Sequence, residues 1–330
     1  MVMTTSLNEL DMVVIPGGSF LMGSDRFYPE EAPAHRASVA AFELDRHPVT
    51  NRQFAEFVDA TGYLTVAERR LDAAEYPHLS EAERAPGSLA FRPTAGPVDL
   101  RDWRAWWEWT PGASWRHPFG PSSDLAGRDE HPVVQVCFTD ATAYAVWAGK
   151  RLPTEVEWER AAQANAKDTD YAWGDELSPA GDLFANTWQG SFPYRNTGAG
   201  GWVGTSPVGS FPANDLGLID MIGNVWEWTS SVFTPDHRAR RAAATNLLGS
   251  ATQPVGETGT GSGCGDGCMC GPSDSGKGSV GPNASVQRVT KGGSHLCAPE
   301  YCRRYRPAAR SPQTEDSATT HIGFRCARSL

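Results

Sequence analysis

The chain has 330 residues, of which 40% are hydrophobic, and 29 Lys and Arg against 39 Asp and Glu give it a formal net charge of -10. This length and composition support a substantial buried core, and the acidic balance disfavours nucleic acids and other polyanionic partners. No apolar run approaches the ~20 residues that cross a membrane, and residues 1–11 lack the basic start and apolar stretch of a signal peptide.

Three helices are predicted from capping signals followed by apolar spacing. Thr50 and Gln53 form a capping box, in which each side chain satisfies a backbone N–H group at the start of a helix. Thr154 and Glu157 repeat this pattern further along the chain. Between them, residues 140–148 are predicted to form a short helix that Gly149 closes.

Strand-like sequences are few. Runs of β-forming residues at 12–15, 133–136 and 285–289 predict three short strands. With 34 Gly, 24 Pro and 12 Trp, much of the remaining chain is expected to form turns and loops pinned by aromatic side chains. The predicted fold class is therefore α+β with low regular secondary structure.

Five tryptophans lie close together in one part of the sequence: Trp103, Trp106, Trp107, Trp109 and Trp115. Because tryptophan is usually largely buried, we expect most of them to pack in the core. Their density would also suit a groove that binds a peptide, and we expect one or two to reach such a groove.

Residues 236–284 are rich in Gly, Ser, Thr and Ala, which predicts a flexible, exposed insertion. Inside it, Cys264, Cys268 and Cys270 lie beside Met269, and these sulfur ligands would suit Cu(I) or Zn(II). Three thiols lack the fourth ligand of a closed zinc site, which favours incidental cysteines in a loop. Delivery of copper from this cluster is a further hypothesis, which unchanged copper loading after replacement of all three cysteines by serine would refute.

Cys297 and Cys302 flank Pro299 near the carboxyl end. An odd spacing places the two side chains on opposite faces of an extended strand, so the thiols meet only if the chain bends. Pro299 has no backbone N–H and a fixed φ, which predicts that bend. Converged thiols form a disulfide, a soft-metal site or two inert buried cysteines, and the spacing leaves all three open.

Three arginines follow the pair: Arg303, Arg304 and Arg306. Their charge would favour the thiolate form of a nearby cysteine, but the same side chains would also suit structural ion pairs. Cys137 and Cys326, by contrast, have the sequence surroundings of buried core thiols, and no catalytic role is expected for them.

Sequence pieces along nearly the whole chain resemble one family. Residues 16–23 (Pro-Gly-Gly-Ser-Phe-Leu-Met-Gly), 147–155 (Trp-Ala-Gly-Lys-Arg-Leu-Pro-Thr-Glu) and 223–228 (Gly-Asn-Val-Trp-Glu-Trp) mark a wide superfamily. The segment from Gly-Gly-Ser-x-x-Cys at 292–297 to Ala-Ala-Arg at 308–310 more specifically resembles the bacterial formylglycine-generating enzymes, or sulfatase-modifying factors. The resemblance implies a variant of the C-type-lectin-like fold and a single domain over residues 1–330.

The resemblance also implies a reaction and the residues that carry it. In that family, the cysteines that Cys297 and Cys302 match hold Cu(I), and the substrate's own cysteine joins them. Ser294 and Trp226 match residues that line a small oxygen pocket, and Tyr301 matches a tyrosine at the site. The implied enzyme uses copper, O2 and an external thiol reductant to oxidise the cysteine of a Cys-x-Pro-x-Arg segment to formylglycine. Its expected partner is an unfolded or nascent sulfatase polypeptide, which the modification activates.

Two structural Ca2+ sites are implied by the same resemblance. The first combines carboxylates with backbone carbonyls, which are the hard oxygen ligands that Ca2+ prefers, at Asp220, Gly223, Val225 and Glu227. The second is matched by Asn186, Thr187, Gly200 and Trp202. Because a glycine stands at position 200, where some relatives carry an aspartate, this second site is expected to be weaker or to use a carbonyl.

Two other functions were weighed on the same scaffold, and the first of them remains the alternative. A binding module on the same scaffold would hold a peptide or a glycan without catalysis, with the cysteine pair as a static disulfide. An iron-dependent sulfoxide synthase would need a histidine-rich iron site on an added helical domain, which this sequence lacks. The copper stoichiometry of the protein separates the copper-dependent oxidase from the binding module, because a disulfide has no thiolate that could bind the metal.

Location and assembly are predicted only coarsely. Seven cysteines cannot all pair within the chain, which fits a reducing compartment better than a secreted disulfide scaffold. We therefore expect a cytoplasmic bacterial protein that acts as a monomer, without a membrane or nucleic-acid partner.

Overall fold

The computed structural model describes residues 12–74, 77, 79–82, 84–165, 169–239 and 286–330. Only residues 236–239 of the predicted insertion belong to this part of the chain, and the cysteine cluster at 264–270 lies outside the described residues. Copper delivery from that cluster therefore stays a prediction.

The three predicted helices are confirmed as α1 Asn51–Thr61, α2 Phe138–Trp147 and α3 Glu155–Gln163. At the start of α1 the Gln53 backbone N–H donates to Thr50 Oγ1 at 3.3 Å, and the Thr50 backbone N–H donates to Gln53 Oε1 at 2.9 Å. The same arrangement caps α3. Helix α2 begins two residues earlier than predicted, because the carboxylate of Asp140 accepts the Cys137 backbone N–H at 3.0 Å and caps the helix there.

The strands are short, and those in the described ranges are β1 Met12–Ile15, β2 Gly18–Met22, β3 His35–Val39, β4 Phe42–Asp45, β5 Gly87–Phe91, β6 Trp107–Pro111, β7 Gly190–Ser191, β8 Arg195–Asn196, β9 Trp226–Val232, β10 Gln287–Lys291, β11 Arg310–Thr314, β12 Ile322–Gly323 and β13 Ala327–Ser329. One sheet has the order β1-β4-β13, and a second has the order β11-β10-β9-β12. Three two-stranded ribbons pair β2 with β3, β5 with β6, and β7 with β8. The first and last described strands thus share the central strand β4.

The four-stranded sheet holds the segments of greatest interest. Strand β9 begins at Trp226 and runs antiparallel to β10 and parallel to β12. Residues 292–309, which include the cysteine pair, connect β10 to β11. These two strands pair antiparallel, with Lys291 opposite Arg310, so both ends of the cysteine segment are fixed in one sheet.

One predicted strand is wrong. Residues 133–136 form no strand, because Gln135 has a φ of 61°, in the left-handed region that breaks a regular ladder. Its buried side chain accepts a hydrogen bond from Ser88 Oγ at 2.7 Å and donates one to the Pro118 carbonyl at 2.7 Å. Its backbone N–H donates to the Thr319 carbonyl at 2.9 Å. The apolar run at 133–136 is therefore buried irregular chain. The run predicted at 285–289 does form a strand, shifted to β10.

The main hydrophobic core gathers aromatic side chains from α1, α2 and the loops around the cysteine pair, and it includes Cys297, Cys302 and Trp226 themselves. A smaller core packs α3 against β1 and β4. The prediction of a mixed fold with few helices and small sheets is confirmed. None of the helices within the described ranges has the length and hydrophobicity that a membrane crossing requires.

Candidate active site

The cysteine segment bends as predicted and brings its two sulfurs together. The Cys302 backbone N–H donates to the Ala298 carbonyl at 2.7 Å, and the Cys297 backbone N–H donates to the Ser294 carbonyl at 2.9 Å. These turns place the Cys297 and Cys302 Sγ atoms 3.3 Å apart, with both side chains buried. The Ser294 backbone N–H also donates to Cys297 Sγ at 3.4 Å, an interaction that favours a negatively charged sulfur.

The glycines before this turn allow it to lie flat against neighbouring backbone. Gly293 has a φ of 71°, and a Cβ at this position would lie 2.8 Å from Tyr305 Cα. Only glycine satisfies both the left-handed conformation and the close approach. The Gly-Gly-Ser sequence is thus a local requirement of the bend that presents Cys297.

A narrow cavity opens onto Cys297. Its lining combines two polar residues and the thiol with apolar and aromatic side chains: Trp106, Trp107, Phe192, Ser294, Leu296, Cys297, Tyr301 and His321. Cys302 does not line the cavity, although its sulfur lies 3.3 Å from that of Cys297. The site therefore presents the Cys297 side chain to an incoming group, with the second sulfur in contact with the first.

Two of the clustered tryptophans, Trp106 and Trp107, line this cavity, while Trp115 is buried elsewhere in the core and Trp109 is 41% exposed. That one or two of them contact a peptide stays a prediction. Trp106 packs edge-on against Tyr301, with ring centroids 5.3 Å apart. The Tyr301 ring also stacks on Phe192, with centroids 4.5 Å apart. Tyr301 is thereby held as a wall of the cavity beside the cysteines.

The other predicted pocket residues, Ser294 and Trp226, differ in their relation to the cavity, because only Ser294 lines it. Ser294 is completely buried, and its hydroxyl accepts the Leu296 backbone N–H at 3.2 Å. Trp226 is 1% exposed and packs in the same core cluster as the two cysteines, but it does not line the cavity. Its predicted role beside bound oxygen stays a prediction.

The arginines that follow the pair serve ion pairs with the N-terminal part of the chain. Arg304 Nε donates to Glu30 at 3.2 Å, and Arg306 Nη1 donates to Glu31 at 2.9 Å. The Arg303 backbone N–H donates to the Tyr28 hydroxyl at 3.0 Å. We call residues 27–31 the N-terminal clamp, because they hold the backbone immediately after Cys302. The geometry supports the structural interpretation of Arg304 and Arg306.

His321 is a cavity residue that sequence reasoning missed. It is 1% exposed, and its Nδ1 lies 2.8 Å from Thr319 Oγ1. Its ring packs against Trp107 with centroids 4.8 Å apart. The sequence shows only that His321 stands two residues before the Gly-Phe-Arg-Cys motif. That position alone does not distinguish a cavity residue from an ordinary histidine of the core.

The loop matched to the first Ca2+ site offers one carboxylate that suits a cation and one that is already neutralised. Asp220 is buried, and its Oδ1 has no hydrogen-bond partner in the described ranges. Burial raises the pKa of Asp220 to about 6. Glu227, however, accepts hydrogen bonds from Arg325 Nε and Trp158 Nε1, both at 2.7 Å. Asp220 is thus suited to bind a hard cation, whereas the Glu227 carboxylate would have to bind both the cation and Arg325.

The second predicted Ca2+ set lies next to the first but has no carboxylate. The Asn186 carbonyl accepts the Asn224 backbone N–H at 2.8 Å, and a Cβ at Gly223 would lie only 2.5 Å from that carbonyl oxygen. Asn186 Nδ2 donates to the Gly204 carbonyl at 2.9 Å, which places it against the turn that follows Gly200. The Thr187 oxygens accept from the Gln189 side chain, and Trp202 is 38% exposed. This amide-lined turn fits calcium less well than Asp220 does.

The two remaining described cysteines are buried, as expected of core thiols. Cys137 contacts the start of α2, and Cys326 lies near Asp45. Burial raises the pKa of both thiols well above the ordinary value, which leaves them protonated and unreactive at neutral pH.

This fold is shared with a solved structure, PvdO from Pseudomonas aeruginosa, at a TM-score of 0.54 and 24% identity over 97% of this chain and 94% of that one. The chain belongs to the family described as sulfatase-modifying factor enzyme 1-like, whose domain model matches residues 2–330. Formylglycine-generating enzyme from Mycobacterium tuberculosis is 60% identical over 320 residues, 96% of this chain and 97% of that protein. A mouse relative named inactive C-alpha-formylglycine-generating enzyme 2 is 35% identical over 96% of this chain and 85% of its own length. The predicted family is therefore confirmed.

Proposed function

We propose that this protein oxidises a peptidyl cysteine of a Cys-x-Pro-x-Arg sulfatase segment to formylglycine. The single observation that carries the proposal is the buried pair of sulfurs 3.3 Å apart, with Cys297 open to a narrow cavity. The similarity to the M. tuberculosis enzyme supports the substrate class. The overall balance consumes one O2 and two hydrogen atoms from an external thiol reductant for each cysteine, and yields the aldehyde, hydrogen sulfide and one water.

Copper is the cofactor that the donor set suits. Two converged thiolates select Cu(I) over harder ions, and Cys297 and Cys302 are the residues that would hold it. The bound metal would supply the one-electron chemistry with O2 that no side chain provides. The Ser294 backbone N–H would keep Cys297 in its thiolate form, and the aromatic wall would exclude water from the thiol pair.

Substrate recognition would combine this cavity with the charge of the protein. The cavity admits the end of a side chain only, so the peptide backbone would lie across its mouth. A net charge of -10 favours association with a segment that contains an arginine. An unfolded or nascent sulfatase is the proposed partner, because only an extended chain would bring its cysteine to a recessed thiol.

Calcium is proposed as a structural ion at the first predicted site. Asp220 Oδ1 supports it, as a buried carboxylate oxygen that lacks a partner in the described ranges. The backbone carbonyls of Gly223 and Val225 and a shared Glu227 would complete the oxygen ligands. The loop is tied to the cysteine segment, because the Asn224 carbonyl accepts the His295 backbone N–H at 3.0 Å. An ion there would therefore stiffen the base of the active site.

A non-catalytic binding module is the second candidate. The name of the mouse relative shows that a protein similar over nearly this whole chain is regarded as inactive. Family membership therefore leaves the activity to be tested at the thiol pair. The cytoplasmic location and the monomeric state rest on sequence arguments and stay predictions.

The test is mass spectrometry, with aldehyde trapping, of a Cys-x-Pro-x-Arg peptide incubated aerobically with Cu(I)-loaded protein and a thiol reductant. We expect conversion that requires O2, copper and both cysteines. Binding of Cu(I) and of peptide without conversion would instead establish the binding module. The control is the same peptide with alanine in place of cysteine, which cannot react.

A further inference from the structure

The inference concerns the wall of the cavity that Phe192 forms. This residue follows strand β7, at the start of the turn that joins β7 to β8. Its ring stacks on that of Tyr301, with an angle of 3° between the two planes, and packs edge-on against Trp106 and Trp188. The cavity therefore keeps its shape only while the β7–β8 turn stays beside the cysteine segment.

A hydrogen bond on each side of strand β7 joins it to the cysteine segment. Before the strand, the Trp188 backbone N–H donates to the Cys297 carbonyl at 3.0 Å. After it, the Phe192 backbone N–H donates to Glu300 Oε1 at 2.9 Å. The second of these hydrogen bonds is accepted by a side chain, so a single substitution can remove it without a change in the backbone.

The bend around Pro299 places Glu300 for this contact. Because the Cys302 backbone N–H donates to the Ala298 carbonyl at 2.7 Å, Pro299 and Glu300 form an exposed corner of the turn. Glu300 itself does not line the cavity. A carboxylate is a stronger acceptor for a backbone N–H than a neutral oxygen is. Glu300 is therefore suited to fix the position of Phe192 from outside the cavity.

We infer that Glu300 is a positioning residue, whose hydrogen bond to the Phe192 backbone holds the Phe192 ring against Tyr301 as a wall of the cavity. The cavity has a volume of about 10 Å3, roughly the space of one water molecule. Cys297 is only 1% exposed, so a larger reagent reaches its thiol only when a wall moves. The catalytic consequence of this restraint, which is the exclusion of water from the thiol pair, rests on the proposed function.

The first experiment is alkylation of the reduced, metal-free protein by iodoacetamide, with the modified cysteines mapped by mass spectrometry. Glu300→Ala removes the acceptor, and we expect Cys297 to react about tenfold faster, the upper range for the loss of one hydrogen bond. Glu300→Gln keeps a neutral oxygen acceptor and should stay within about threefold of the wild type. Cys137 is buried outside the cavity and reports global unfolding, so its rate should be equal in all three proteins.

Hydrogen exchange of the Phe192 amide tests the hydrogen bond directly. We expect protection in the wild type and in Glu300→Gln, and its loss in Glu300→Ala. Glu56→Ala removes an exposed carboxylate from α1 and should change neither alkylation nor exchange, so it controls for charge. With copper-loaded protein, kcat/KM for a Cys-x-Pro-x-Arg peptide should fall about tenfold in Glu300→Ala and recover most of this loss in Glu300→Gln.

An unchanged alkylation rate of Cys297 in Glu300→Ala would overturn the inference, as would rapid exchange of the Phe192 amide in the wild type. Equal rates in the alanine and glutamine variants would also overturn it, because the effect would then belong to the charge. Faster alkylation of Cys137 together with Cys297 would assign Glu300 to global stability instead. If the wild type left the peptide unchanged while alkylation and exchange behaved as expected, the proposed function would fail and the positioning of Phe192 would stand.

Discussion

The two segments predicted to bind metals differ in how their charges and ligands are arranged before any ion arrives. In the cysteine segment, the two sulfurs are already 3.3 Å apart, and the nearby charges of Arg304 and Arg306 are balanced by the N-terminal clamp. In the loop from Asp220 to Glu227, the Glu227 carboxylate is neutralised by Arg325, and one oxygen of the Asp220 carboxylate has no hydrogen-bond partner among the described residues. The thiol site is thus preformed by backbone turns, whereas a bound ion would stabilise the acidic loop by giving its carboxylate a partner.

The largest expected effect comes from breaking the preformed site itself. Cys302→Ser removes one of two soft ligands while it preserves the size of the side chain, so we expect turnover to be abolished and Cu(I) affinity to collapse. Peptide conversion by mass spectrometry and chelator competition for Cu(I) measure the two effects. Cys137→Ala is the matched control, because this thiol is also buried but lies outside the cavity. Turnover by Cys302→Ser would refute the copper-pair proposal.

The next effect tests the clamp behind the cysteine segment. Glu31→Gln leaves Arg306 as a buried charge without its partner, a change that typically costs about 3–5 kcal/mol in the free energy of unfolding. Urea unfolding measures this cost. Glu130→Gln is the control, because its ion pair with Arg52 also has two hydrogen bonds but is about half exposed, and it should contribute about 0–1 kcal/mol. Equal costs for the two variants would mean that the clamp does not hold the segment.

A smaller effect is expected at the acidic loop. Saturating Ca2+ should stabilise the wild type by about 2.7 kcal/mol at a concentration 100 times the dissociation constant, and Asp220→Ala should abolish this gain. Thermal unfolding with Ca2+ and with a chelator provides the measurement. Asp215→Ala changes an exposed carboxylate five residues before Asp220 and should keep the response. A calcium response that survives in Asp220→Ala would place the ion elsewhere.

The difference between the two segments also shows what the sequence can reveal. The bend at Pro299 and the capping box at Thr50 depend on residues a few positions apart, and both were predicted. The left-handed Gln135, the pairing of Arg306 with Glu31 and the place of His321 depend on contacts between distant parts of the chain. An apolar run such as 133–136 has the same composition in a strand and in buried irregular chain, so periodicity could not separate them.

The smallest expected effect is at His237, which contacts the residue that follows the N-terminal clamp. Its backbone N–H donates to the Ala32 carbonyl at 2.9 Å, and its ring lies 4.7 Å from that of His35. The side chain is completely buried, and neither ring nitrogen has a hydrogen-bond partner in the described ranges. Burial lowers its pKa to about 3; the charges of Arg310 and Lys291 add to this shift, and that of Glu155 opposes it.

A depressed histidine pKa makes the folded state less stable in acid. The unfolded chain takes up the proton at a pKa near 6.5 and the folded chain only near 3, so the stabilisation is complete above pH ~6.5 and falls by about 1.4 kcal/mol per pH unit below it. Between pH 6.5 and 5, His237 should therefore account for roughly 2 kcal/mol of lost stability. Urea unfolding of wild type and His237→Phe at both pH values isolates this share, because all other titrating groups are common to both proteins. Parallel pH dependences would show that His237 takes up its proton as readily in the folded state as in the unfolded one, and that the clamp is indifferent to acid.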